Sequence, residues 1–263
     1  MGREAGREGV AYVTLAYPEL RNTLTADVAE GLVDAMRGVG GSDARCVHLA
    51  AEGPAFCAGG DVNAMVEGVE AAEKGGRDPE QAREAVVRTA SAVTAVATCD
   101  VPTVAALEGP AYGAGAALAL AADVVLASEE AGISFGFRPL GLAVDSGTSY
   151  FLPRVVGEST AKELVFTGEM VEADRAADLG LFNRVFSADS FEDEVASFVE
   201  SVATGPTAAL SASKRLIEAG GRRSLPDAVR AESDAQVEMA TTEDHAEGVR
   251  AFVAERDPEF EGT

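Results

Sequence analysis

Three segments of this chain combine small residues with groups suited to chemistry. The first is Phe56-Cys57-Ala58-Gly59-Gly60-Asp61, and the second is Gly109-Pro110-Ala111-Tyr112-Gly113-Ala114-Gly115-Ala116-Ala117. Each stands between a strand-like run and a helix-like run. Backbone N–H groups at a helix start have no partner within the helix, and the helix dipole is positive there. They can hold an anion, or an oxygen on which negative charge develops. For one such segment alone, tight helix packing is the better account. Two of the same strand–turn–helix form bring a binding role level with the packing one.

The third segment is Leu140-Gly141-Leu142-Ala143-Val144-Asp145-Ser146-Gly147-Thr148. Asp145 interrupts an apolar run just before a helical stretch. It suits two roles. Its carboxylate can cap the next helix by accepting backbone N–H bonds. Alternatively it is a carboxyl in an apolar pocket, with its pKa raised toward the range useful for proton transfer.

Other chemistries find no anchor. Gly113-Ala114-Gly115 begins a dinucleotide motif, but Leu118 stands where its third glycine belongs, and no acidic strand end follows. There is no P-loop and no G-x-S-x-G nucleophile elbow. His48 and His245 are far apart and read as structural. Cys46, Cys57 and Cys99 have no metal-ligand spacing and read as reduced thiols. No metal or redox cofactor is expected.

The elements that must position these segments alternate. Residues 10–16 read as a strand, and Thr25 caps a helix whose Val28, Leu32, Met36 and Val39 lie at helical spacing. Residues 45–51 form a strand, 52–60 a loop, 62–69 a helix and 71–80 a polar linker. Residues 81–98 are helical, 102–107 a strand, 113–122 a helix of small residues and 123–127 a strand. Short helices follow at 148–156, 159–167 and 172–179, then a strand at 181–186. Residues 191–203, 206–219, 225–240 and 245–254 read as acidic helices. Repeated strand-then-helix units predict an α/β fold with mostly parallel pairing. The domain division is a core over residues 1–190 and a C-terminal helical oligomerisation region over 191–263.

The 263 residues are 47% hydrophobic and 25% charged, enough for a sizeable core. Mean hydropathy of +0.06 excludes a mostly disordered chain. No apolar run reaches membrane-spanning length, and residues 1–10 have no apolar leader, so a cytoplasmic protein is expected. There are 44 Asp and Glu against 21 Lys and Arg, for a net charge of −23. Such a surface repels phosphate backbones and excludes sequence-independent nucleic-acid binding. The acids are spread along the chain, which favours adaptation to a high-salt (halophilic) cytoplasm over general solubility.

From about Val10 to Val185 the chain resembles the enoyl-CoA hydratase/isomerase (crotonase) superfamily. Phe56–Asp61 is similar to that family's F-C-A-G-x-D, and Gly109–Asp123 to its glycine-rich loop and helix. Leu152-Pro153-Arg154-Val155-Val156-Gly157, Thr167-Gly168 and Ala176–Val185 match later landmarks. The resemblance implies a spiral of ββα units with a C-terminal helical region. It also implies homotrimers or dimers of trimers and acyl-CoA thioester substrates, with coenzyme A entering only as part of the substrate. It assigns the oxyanion-hole N–H groups to Gly60 and Ala114. It lines the substrate with Ala58, Gly59, Asp61 and Val62 from the first loop, and with Gly113, Phe137 and Leu140.

The departures from the family pattern bear on the reaction. The two glutamates of the family's hydratases fall at Ala117 and Phe137 here. Hydration requires activating water and delivering a proton, for which paired carboxylates suit. Residues 141–147 resemble the G-L-V-P-D-x-G of 1,2-epoxyphenylacetyl-CoA isomerases and related enoyl-CoA isomerases, with Val144 replacing the proline. The expected activity is therefore an acyl-CoA isomerase that shifts a double bond or ring through an enolate, with Asp145 as acid and base. The alternatives are a hydratase or hydrolase using Glu108, Asp61 or Glu67, and a non-catalytic acyl-CoA binder.

Overall fold

The computed structural model describes residues 9–76 and 78–263. Residues 1–8 of the polar N-terminal stretch, and Arg77 in the 71–80 linker, lie outside them. Successive turns of a spiral each comprise a long strand, a short strand or bridge, and a helix. The first runs through β1 (Val10–Leu15), the bridge residue Leu24 and α1 (Ala26–Val39). The second runs through β2 (Cys46–Ala51), the bridge residues Cys57 and Gly60, α2 (Val62–Glu73) and α3 (Pro79–Ala97). Next come β3 (Thr103–Leu107), β4 (Ala111–Tyr112) and α4 (Ala114–Ala121), then β5 (Val124–Ser128), β6 (Gly132–Ser134) and α5 (Thr148–Thr167). After them stand β7 (Val171–Glu172), α6 (Ala173–Asp178) and β8 (Arg184–Phe186). Four helices follow: α7 (Phe191–Ala203), α8 (Thr207–Gly220), α9 (Leu225–Met239) and α10 (Glu243–Val253).

The long strands pair in the order β1-β2-β3-β5-β8, all parallel. The short ones form a second sheet, β4-β6-β7, in which β6 and β7 are antiparallel. The bridges Leu24–Gly60 and Cys57–Ala111 carry that second wall back to the earlier turns. A central parallel strand is covered on both faces, so it must be apolar along its length. The Thr-Val-Ala-Ala-Leu of β3 is buried throughout.

Local chemistry explains the helices. Thr25 Oγ1 accepts from Val28 N–H at 3.3 Å, starting α1, whose Ala29, Leu32, Met36 and Val39 face the core. Every residue of α4 is buried, as a helix apolar on all sides requires. Phe191, Val195, Val199 and Ala203 of α7 cover the other sheet face, against Cys46, Val104, Ala106 and Leu126. Lys214 Nζ of α8 lies 2.8 Å from Asp123 Oδ2, which also accepts from Thr103 N–H and Oγ1–H at 2.8 Å each.

The sequence reading needs correction where elements are short or bent. β6 and β7 show no periodicity because they are only three and two residues long. The helices read at 148–156 and 159–167 are both present, as the two halves of α5 (Thr148–Thr167) on either side of a kink at Gly157, where φ is 78°. The strand expected at 181–186 begins at Arg184, because Leu181 and Phe182 N–H both turn back to the Ala176 carbonyl. The helix at 62–69 continues to Glu73. No helix of the described residues is long and apolar enough to cross a membrane.

Candidate active site

The first two glycine-rich segments meet side by side. Phe56 and Cys57 N–H both donate to the Pro110 carbonyl, at 3.1 and 3.4 Å, and Tyr112 N–H returns to Cys57 O at 2.9 Å. Glycine is required where the backbones touch. A methyl on Gly59, whose φ is 91°, would sit 2.6 Å from Tyr112 O and 3.5 Å from Ala114 N. The second loop is fixed from behind by Gly113 N–H, which donates to Ser134 O of β6 at 2.8 Å. Gly113 itself has φ 52° and starts α4 without a side-chain cap.

This arrangement leaves donors free. Ala114 is the first residue of α4, so its N–H has no helical acceptor. Neither Ala114 N–H nor Gly60 N–H donates within the hydrogen bonds of the described residues. Ala58 and Gly60 are half-buried, while Gly59 and Ala114 are buried. Met65 of α2 lies beside Gly60, its methyl 3.0 Å from where a Gly60 side chain would begin. Cys57 sits inside the first loop, but burial pushes its thiol up to about 12, so it stays protonated and fills space.

The remaining sequence candidates divide. Asp61 is occupied: its carboxylate caps α2 by accepting from Asn63 and Ala64 N–H at 2.9 and 3.2 Å. Val62 is exposed, and with Met65, Val66 and Val69 it forms an apolar stripe on a helix that buries no residue. Phe137 is buried, its ring 3.8 Å from where a Gly113 side chain would begin. Leu140 is exposed in the adjoining turn. Glu67 lies on the exposed surface of α2. The Glu108 carboxyl is held above the usual carboxylate range by partial burial and then by nearby Glu192 at the start of α7. Ala117 is completely buried.

Asp145 is half-buried at the start of α5 and does not cap it. Gly147 is the cap residue and makes no side-chain bond, and Thr148 N–H donates to the backbone carbonyl of Asp145 at 2.9 Å. Asp145 Oδ1 is buried with no hydrogen-bond partner among the described residues. Burial pushes this carboxyl above the ordinary aspartate range, and the nearby Ser146 side chain offsets part of that rise. Two neighbouring hydroxyls, Ser146 Oγ and Thr148 Oγ1, are also buried and unpartnered. A cleft of about 560 Å³ borders the turn, lined by residues including Val144, Thr148, Leu152, Val165 and Phe166.

One positioning residue escaped the sequence reading. Asn22 is fully buried and accepts from Tyr17 N–H at 2.8 Å. It donates to the Glu52 and Ala55 carbonyls at 2.8 and 2.9 Å, tying down the loop that carries Gly59 and Gly60. Its φ is 55°, and an asparagine in a turn is the available signal for that conformation.

Known proteins resemble this chain in sequence and fold. The profile of the enoyl-CoA hydratase/isomerase family matches residues 5–263. A Rhodobacter capsulatus protein that carries an enoyl-CoA hydratase name is 35% identical over 258 residues, covering 97% of this chain and 95% of its own. The 1,2-epoxyphenylacetyl-CoA isomerase of Escherichia coli is 32% identical over 257 residues, covering 97% and 96%. The crystal structure of an enoyl-CoA hydratase from Bacillus anthracis superposes with a TM-score of 0.90 at 28% identity, covering 99% of this chain and 98% of that one.

Proposed function

The chain belongs to the enoyl-CoA hydratase/isomerase family, and we propose that within it the protein is an acyl-CoA isomerase working through a thioester enolate. The observation that carries this reading is the half-buried Asp145 carboxyl with its unpartnered Oδ1, combined with apolar residues at Ala117 and Phe137. In the mechanism, the thioester oxygen sits against Gly60 and Ala114 N–H. Asp145 takes a proton from the α-carbon, and the electrons of that C–H bond move onto the thioester oxygen. Each preorganised N–H donor contributes roughly 3–4 kcal/mol to holding that charge. Asp145 then returns the proton to the γ-carbon, so one carboxyl serves both steps and the site finishes in its starting state. The acyl chain lies along the apolar stripe of Val62, Met65, Val66 and Val69.

The alternative acids fit less well. Asp61 is engaged as a cap, and Glu67 is exposed. Hydration of a conjugated thioester would require a second acid–base group where Phe137 stands. Exposed apolar residues on the C-terminal helices, among them Leu225, Val237 and Phe252, support a trimer built through that region.

A panel of acyl-CoA thioesters turned over in heavy-oxygen water tests the reading. An isomerised product without label is expected. A labelled hydroxyacyl product would replace isomerase with hydratase. Tight acyl-CoA binding without turnover across the panel would leave only the binder.

A further inference from the structure

Ser146 occupies a position that is unfavourable on two counts. Its φ is 49°, in the left-handed region where any residue with a Cβ is disfavoured and glycine is at ease. The residue is 5% exposed, and the buried Oγ has no hydrogen-bond partner among the described residues. A glycine here would remove both costs. The neighbour Gly147 already shows that this turn accepts one, with φ 82°. The serine therefore brings the fold no evident return, and it directly follows Asp145, whose Oδ1 is also buried and has no hydrogen-bond partner among the described residues.

We propose that Ser146 is a positioning residue for the Asp145 carboxyl. Its hydroxyl turns to donate to the carboxylate and so fixes which oxygen faces the substrate carbon. The inference rests on Asp145 being the proton carrier. The direction of the Asp145 shift agrees with the pairing: burial raises the carboxyl's pKa and the Ser146 side chain offsets part of that rise. Two guanidinium groups are engaged with Tyr150, in the first turn of α5. The Arg154 guanidinium stacks on the Tyr150 ring and donates to the Tyr150 carbonyl, and Arg222 donates to the Tyr150 hydroxyl.

The test compares Ser146→Gly, Ser146→Ala and Asp145→Asn with the parent on whichever β,γ-enoyl-CoA the parent turns over fastest, starting with vinylacetyl-CoA. Ser146→Gly relieves the backbone and should melt no lower than the parent. Both Ser146 variants should lose about 10-fold or more in kcat, with KM within about 2-fold, as a positioned group demands. Without the hydroxyl donor the carboxyl holds its proton more tightly, so the acid limb of the pH profile should move to higher pH in both. Loss in the glycine variant alone would assign the effect to backbone freedom and overturn the proposal. Parent-like kcat and acid limb in both, with Asp145→Asn inactive, would overturn it while leaving Asp145 as the base. Activity in Asp145→Asn would overturn both.

Discussion

Gly115→Ala tests whether the two loops are packed as described. Gly115 is the second residue of α4 and lies against the backbone of Cys57. A methyl there would meet the Cys57 carbonyl oxygen, with Cys57 Cβ and carbonyl carbon at 2.8 and 2.9 Å. The obstruction is mostly backbone, which cannot swing aside as a long side chain can. Overpacking of this kind costs about 1–3 kcal/mol. For a domain of this size each kcal/mol moves Tm by roughly 2–4 °C, so a fall of roughly 2–12 °C is expected. The same methyl pushes Cys57 away from α4, and with it Gly60 from Ala114. Displacements approaching 1 Å at a catalytic group cost on the order of 100-fold, so kcat/KM should fall by about 10- to 100-fold. Calorimetry and steady-state assays of the purified variant give both numbers. Gly38→Ala is the control: that exposed glycine of α1 has nothing within 4 Å of an added methyl. It should gain about 0.5–1 kcal/mol from helix propensity. A Gly115→Ala protein with parent Tm and turnover would refute the loop contact.

Three further outcomes are expected. Lys214→Met removes a charged donor from Asp123, and with the lysine side chain 8% and the aspartate 28% exposed it should cost about 1.5–3 kcal/mol in a urea melt. Adding Asp123→Asn should restore part of that loss. The Asp145 carboxyl is raised by burial, so the folded state keeps its proton to higher pH than the unfolded chain does. This group's contribution to stability is thus lost as pH rises from the ordinary aspartate value through the raised one. Asp145→Asn should be the more stable protein above that window and equal to the parent below it, which urea melts at several pH values will show. Finally, a net charge of −23 should make Tm fall on dilution into low salt, and a Tm indifferent to ionic strength would remove the salt-adapted reading.

Elements with strong local signals were legible in the sequence. Thr25 before a run at helical spacing places α1, and the all-small-residue stretch after Gly113 places the buried α4. The two glycine-rich loops were visible as strand–glycine–helix joints. What escaped depends on partners distant in sequence. The two and three residues of β7 and β6 are strands only because they pair with each other and with β4. Asp61, which the family resemblance places against the substrate, also caps α2, a role that sequence alone does not separate from binding. Asp145 was undecided between cap and proton carrier. The left-handed pair Ser146 and Gly147 presents the Asp145 carbonyl, and not its carboxylate, to Thr148 N–H, so the side chain does not cap α5.

The most direct measurement of the central claim is isomerisation by the Asp145→Asn variant. The substitution keeps the side chain's shape and removes its ability to accept a proton. Conversion of vinylacetyl-CoA, or of the panel member the parent prefers, would be followed beside incorporation of solvent deuterium at the α-carbon. Both rates should fall by at least about 100-fold, the lower end of what positioned proton transfer contributes. Acyl-CoA affinity should stay within a few-fold of the parent, since Gly60 and Ala114, the proposed holders of the thioester, are unchanged. A folded Asp145→Asn protein that isomerises and exchanges at near-parent rates would contradict the account and return the search to another acid.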